Sequence, residues 1–329
     1  LVGLVGSEMC IRDSLQVLIF LLPLAVLAVW LARAPLPRTY AWDFVRGDCH
    51  KRGAWIHDRI AGTNVPLDVA FVGTSRTIRS MDARSIERAI RAKGQDIRVA
   101  NFGYCRNGRN LQVAIAREFM AARPGGHLIV EVTNREYPTT HPAFGYVAET
   151  DDLYARVPER GLDAITDAYH GFLTRIVEAK PELLGLPNPE AGEPKRIHAS
   201  WGQYVREDPA FMEQTRIRRQ RRAEARGGPS ASRSRLGHAE IRHLAGLAAA
   251  TDTKLHFYYL QSYAEPWGRI WSRDLYEQYG DIWIPPEAVF ADPGHWQDIH
   301  HLNKYGSDAL VDWMADNIIR AVGSAPASR

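Results

Sequence analysis

The sequence predicts an α/β domain: three layers, with a mostly parallel five-stranded sheet between helices. Three observations lead there. Short apolar, β-branched runs recur before glycine or asparagine turns, and stretches with helical apolar spacing separate them. Strand, helix, strand, helix, strand in that order requires right-handed crossovers and a parallel sheet. The composition, 45% hydrophobic and 24% charged, allows a real core.

Taken in order, residues 67–72, Leu67-Asp68-Val69-Ala70-Phe71-Val72, read as a buried first strand ending at Gly73. Residues 80–93 carry Ile86, Ala89 and Ile90 at helical spacing, with Asp82 as N-cap. A second strand is expected over 97–101, a second helix over 111–122 and a third strand over 127–132. The alternation then stops. Residues 137–235 hold helical stretches and no clear strand, which we read as a helical insertion after the third strand. It resumes with a helix over 238–250, a strand over 255–260, a short strand near Val289-Phe290 and a closing helix over 304–319. The domain is thus expected to span 67–322, with 323–329 as a tail.

The N-terminal part reads differently. Residues 1–14, LVGLVGSEMCIRDS, look like translated sequencing-adapter DNA, an artefact that would displace the native N-terminus. Residues 15–33 include LQVLIFLLPLAVLAVWLA, an apolar run that at about 1.5 Å per residue just spans a hydrocarbon core of roughly 30 Å. One transmembrane helix is therefore expected, and Pro23 is compatible with it. Ala32-Arg33-Ala34 has the form of a signal-peptidase site, but Pro35 should hinder cleavage, so the expectation is an uncleaved anchor. Arg33, Arg38, Arg46, Lys51 and Arg52 follow the span, and counted alone they would put that side in the cytoplasm. Residues 34–66 are expected to be a juxtamembrane linker, with a short helix near 53–60 whose Trp55 packs on the domain or on lipid.

A net charge of +3 is too small to imply nucleic acid as a partner. Cys10, Cys49 and Cys105 form no metal-type spacing, so neither a metal nor a cofactor is expected. In an oxidising compartment Cys49 and Cys105 can pair and brace the loop after the second strand; two separate thiols is the other reading.

Chemistry-bearing residues lie at the two ends of the domain. Gly73-Thr74-Ser75 follows the first strand, where α/β sheets bind ligands, although taken alone such a segment is more often a loop or helix cap. Asp298-Ile299-His300-His301 puts a carboxylate three residues before an imidazole, ahead of the last helix. That spacing suits an Asp that orients a His toward a hydroxyl. It also suits an Asp/His cap on the helix.

Together these segments resemble the SGNH/GDSL hydrolase superfamily, which pairs a serine after the first strand with a late D-x-x-H. The resemblance implies a flavodoxin-like sheet and a catalytic set of Ser75, Asp298 and His301. It also implies an oxyanion hole from the amides of Ser75 and Gly103, the latter in Asn101-Phe102-Gly103, with the side chain of Asn134. The chain departs from the family in having Gly-Thr-Ser for Gly-Asp-Ser. Glu131-Val132-Thr133-Asn134 stands where Gly-x-Asn-Asp is usual. The choice of His301 over His300 rests on family spacing.

Leu302-Asn303-x-x-Gly306 is similar to membrane-tethered, polysaccharide-modifying relatives. The implied function is a membrane-anchored, periplasmic or extracytoplasmic serine esterase or O-acyltransferase acting on acyl, chiefly acetyl, esters of an envelope carbohydrate. Its partners would be the acylated carbohydrate or another ester, the membrane and a membrane O-acyltransferase, with no nucleic acid. Alternatives are a catalytically silent scaffold of a polysaccharide assembly, or a lipase or thioesterase. Arg216, Arg218, Arg219, Arg221, Arg222 and Arg226 read as a solvated helix or as a site for anionic polysaccharide or lipid headgroups. Trp283, Trp296, Tyr258 and Tyr259 read as core packing or as sugar platforms.

Overall fold

The structure is a computed structural model that describes residues 16–26, 29, 42, 50–62, 64–132, 134, 136, 139–149, 152–153, 161–173, 206–225 and 235–323. Five strands build one sheet: β1 (Val69–Val72), β2 (Val99–Asn101), β3 (His127–Val132), β4 (Lys254–Tyr259) and β5 (Ile282–Trp283). Their spatial order is β2-β1-β3-β4-β5, and each neighbouring pair is parallel. All C-terminal strand ends therefore share one rim. The chain steps from β1 to β2 on one side and continues through β3, β4 and β5 on the other, so the switch point lies between β1 and β3. Open sheets bind ligands at that crevice.

Side-chain alternation along the strands supplies two apolar faces. Ala70, Val72, Leu128, Val130, Phe257 and Tyr259 pack with α1 (His50–Ala61), α4 (Arg109–Ala122) and α8 (Arg235–Ala250), through residues such as Ile56, Ile60, Ile115, Phe119, Ile241 and Leu244. Val69, Phe71, Val99, Ile129 and Tyr258 pack on the other face. Their partners come from α3 (Ala83–Ala92), α10 (Glu287–Ala291) and α11 (Lys304–Gly323), including Ile86, Ile90, Phe290, Leu310, Met314 and Ile318. Short α2 (Ser75–Ser80) follows β1 directly. Asp82 caps α3, as the sequence suggests, by accepting from the Ser85 amide. Such a cap contributes about 1 kcal/mol.

Several expectations need correction. The last strand is not at Val289-Phe290, which belong to α10; β5 comes earlier, at Ile282–Trp283. β5 is short and pairs only Phe257 and Tyr258, so its pattern in the sequence is too brief to stand out. Within 34–66, residues 50–61 form α1, whose Ile56 and Ile60 are core residues. Trp55 meets Phe102 edge-on at 6.1 Å, so it packs on the domain. Arg52 is buried, and so is no free charge beside a membrane. Among the described residues no helix is long and apolar enough to cross a membrane; residues 16–26 are helical with exposed side chains.

The described part of 137–235 is helical: α5 (Phe144–Val147), α6 (Leu162–Leu173) and α7 (Pro209–Ala225). α7 carries most of the arginine run and is not wholly a solvated helix, because its Met212 joins the core cluster of Tyr263, Trp296 and Leu302. Arg219 donates to the Tyr263 carbonyl at 2.9 Å, while Arg216 pairs with Glu213 on the surface. Arg226 lies outside the described residues. The buried Trp283, Trp296, Tyr258 and Tyr259 are packing residues, not sugar platforms. α9 (Arg273–Glu277) adds Tyr276 to the core.

Candidate active site

Ser75 opens α2 at the C-terminal end of β1, and Thr74 is the N-cap, accepting from the Arg76 amide at 3.2 Å. The turn is tight for a stated reason. A Cβ on Gly73 would land on Thr77 Oγ1 and the Glu131 carboxylate, so only glycine fits between strand and helix. The turn is tied on both sides: the Gly73 carbonyl accepts from Tyr104 N at 2.9 Å, and Thr74 N donates to Glu131 Oε2 at 2.6 Å.

The imidazole arrives from the opposite end of the chain. Residues 296–302 form a loop closed by an antiparallel bridge between Trp296 and Leu302 and by Gln297 N donating to the His301 carbonyl at 2.9 Å. Inside it, Asp298 Oδ1 accepts from the amides of His300 and His301 at 2.7 and 2.9 Å. The same carboxylate meets His301 Nδ1 at 2.8 Å through Oδ2. His301 Nε2 lies 2.8 Å from Ser75 Oγ. A carboxylate only accepts, so Nδ1 carries the proton and Nε2 is left to accept from the serine hydroxyl. The structure brings Ser75, His301 and Asp298 into one hydrogen-bonded line.

The helix-cap reading of Asp298 is resolved by its neighbour. Asn303 caps α11, its Oδ1 accepting from Gly306 N at 3.1 Å and its carbonyl from Ser307 N at 3.0 Å. Asn303 is fully buried and also donates to the Gly294 carbonyl at 2.8 Å, which fixes the base of the loop. Asp298 is therefore not the helix cap. His300 turns away, its Nδ1 3.2 Å from Ser262 Oγ. Desolvation of its ring, then the charges of Arg76 and Arg219, hold it down to about 4. The residue as a whole is exposed, and the two cations dictate the same direction, a neutral ring.

Burial pushes the Asp298 carboxyl up, but the hydrogen bonds from His301 and the two amides outweigh it and hold the group at about 2. A carboxylate held ionised in this way keeps the imidazole oriented.

The proposed oxyanion donors differ among themselves. The Ser75 N–H, in the first turn of α2, has no hydrogen-bond partner among the described residues. Asn134 is buried at the end of β3, with Oδ1 accepting from Tyr259 Oη at 3.2 Å and its carbonyl from Trp271 N at 3.0 Å. That contact fixes the amide, and Nδ2 has no partner among the described residues. Gly103 requires a correction. Its N–H donates to Asn101 Oδ1 at 2.8 Å, so an oxyanion contact would have to share or displace that bond. The reason is a buried network: Asn101 Nδ2 donates to the Thr77 and Met81 carbonyls, each at 2.7 Å. Arg52 from α1 donates to the Asn101 carbonyl at 2.8 Å and to the Gly103 carbonyl. Burial pulls that guanidinium down to about 10, still charged at neutral pH.

Sequence reasoning names Glu131, Arg52, Asn303 and Tyr259 but gives none of them its place in the site. The signals were a charged residue inside an apolar strand at Glu131 and Asn303 in the segment that follows His301. Cys105 is disulfide-bonded; Cys49, its expected partner, lies outside the described residues. Among the described residues no group of three or more His, Cys, Asp or Glu could hold a metal ion. No family model matches this chain, and no curated protein matches it.

Proposed function

We propose that the protein is a serine esterase or O-acyltransferase of the SGNH/GDSL type. The single observation that carries this reading is the Ser75–His301–Asp298 line at the sheet's switch point. Ser75 Oγ attacks an ester carbonyl while His301 Nε2 takes its proton, and Asp298 holds the resulting imidazolium. Among the described residues the Ser75 amide and Asn134 Nδ2 meet no acceptor, and they are the donors suited to the developing oxyanion. Collapse of the tetrahedral intermediate expels the alcohol, which receives the proton from His301, and leaves an acyl group on Ser75. Water then gives hydrolysis; a sugar hydroxyl gives acyl transfer.

For the cellular setting we propose an extracytoplasmic domain on an N-terminal membrane anchor, acting on acyl esters, chiefly acetyl, of an envelope carbohydrate. The Cys105 disulfide supports an oxidising compartment. The apolar run of residues 15–33 supports the anchor. An ester-bearing carbohydrate, the membrane and a membrane O-acyltransferase are the corresponding partners.

Turnover of 4-nitrophenyl acetate by the full chain tests the chemistry. The wild type should hydrolyse it and Ser75→Ala should not; equal rates in the two proteins would sink the proposal. Preference for long acyl chains over acetyl would favour a lipase or thioesterase. A catalytically silent scaffold is the second reading, and the engaged Gly103 amide favours it. It predicts carbohydrate binding with no turnover of any ester.

A further inference from the structure

Glu131 sits in β3 with 1% exposure, directly behind the nucleophile turn. The mechanism above does not use it. Its carboxylate nevertheless collects donors from that turn alone: Thr74 N at 2.6 Å, Thr74 Oγ1 at 2.9 Å and Thr77 Oγ1 at 2.5 Å. Thr77 has one hydroxyl proton and gives it to Glu131, so the Tyr258 hydroxyl, buried on β4, must donate to Thr77 Oγ1. Arg109, from α4, holds the backbone of the same residue by donating to the Glu131 carbonyl at 2.8 Å. The carboxylate thus has its position set from behind by β3, β4 and α4, and it faces only the turn that presents Ser75.

Resting on the acyl-transfer reading, we infer that Glu131 is a positioning residue for Ser75. By gripping the Thr74 amide and hydroxyl it sets the strand-to-helix peptide. This aims Ser75 Oγ at His301 Nε2 and leaves the Ser75 N–H directed toward the developing oxyanion. The physical argument is that charge-assisted bonds to a buried carboxylate are short and directional. A buried network with every member satisfied also has one geometry. Gly73 agrees with this, since any side chain there would occupy the space where Thr77 meets Glu131.

Glu131→Met is the discriminating change. It keeps much of the side chain's length but removes both oxygens, so Thr74 N, Thr74 Oγ1 and Thr77 Oγ1 lose their acceptor. A buried Thr74 amide left without an acceptor is costly, so the turn must shift to find another. Misplacing a reacting group by about 1 Å costs on the order of 10²-fold in rate. We expect kcat per active site, with sites counted by a fluorophosphonate that labels Ser75, to fall by about that factor while KM changes less than about two-fold. Unchanged kcat per labelled site, with only a lower melting temperature, would reduce Glu131 to a structural residue and overturn the inference. Thr77→Val, which removes one donor without changing shape, should give a smaller loss of the same kind.

A crystal structure of Glu131→Met decides the matter independently of activity. Separation of Ser75 Oγ from His301 Nε2 beyond hydrogen-bond reach supports positioning, and an unchanged 2.8 Å overturns it. If the wild type neither turns over an ester nor takes up the phosphonate, the acyl-transfer reading fails by itself. The crystallographic separation still decides whether Glu131 positions Ser75.

Discussion

The two halves of the candidate site are held by opposite means. Ser75 belongs to a turn locked from below by two buried groups far away in sequence, Glu131 and Tyr258, which meet it at Thr74 and Thr77; Glu131, Thr77 and Tyr258 have 1% exposure or less. Asp298 and His301 belong to a loop open to solvent, and most of their order is local. Asp298 binds the amides two and three residues ahead and the imidazole of the second of these residues. On the proposed mechanism the direction of the serine hydroxyl matters most, which suits a residue set against the core. The imidazole would change charge during turnover, which suits a group near water beside a carboxylate.

That contrast can be broken in steps, from the largest effect down. His301→Ala should remove turnover almost entirely, by about 10⁵- to 10⁶-fold when the base of such a unit is lost, as steady-state rates would read. His300→Ala, whose ring faces Ser262, should leave kcat within about two-fold under the same assay. If the two histidines exchanged these effects, the assignment of the base would be wrong.

Asp298→Asn should cost about 10⁴-fold in kcat, because an amide donor opposite Nδ1 enforces the wrong tautomer. Its effect on stability carries a sign that can be checked against pH. The carboxyl is held at about 2, below its ordinary 3.8, so ionised Asp298 stabilises the fold above that range. This contribution fades as pH falls from about 4 to about 2. Melting curves of wild type and Asp298→Asn should therefore differ most above pH 4 and converge near pH 2.

Asn134→Ala should lower kcat by about 10²-fold with little change in KM, as expected for one oxyanion donor. Tyr259→Phe frees the Asn134 amide to turn and should cost less, about ten-fold. An Asn134→Ala variant with wild-type kcat would leave the Ser75 amide as the chief donor.

Much of this was legible in the sequence because it is local. β3 falls over the residues expected for it, Asp82 caps its helix, and D-x-x-H closes on itself within one turn. β5 was misread because a two-residue strand has no period to detect. The placement of 50–61 in a linker failed because its charges and aromatics look like surface; only the fold reveals that Arg52 reaches under the Gly103 loop. Gly103 was assigned by its position after β2, and position cannot tell whether an amide is already engaged by Asn101.

By itself the sequence determined the parallel α/β architecture, the two segments that bear the reactive groups and the spacing of Asp298 to His301. Patterns of burial and short-range hydrogen bonds are written in neighbouring residues, and so can be read from them. Only the tertiary structure decided which histidine meets Ser75, which residue caps the last helix and what lies behind the turn that presents the serine. These depend on groups tens to hundreds of residues apart, and their meeting is fixed by the packing of the whole sheet.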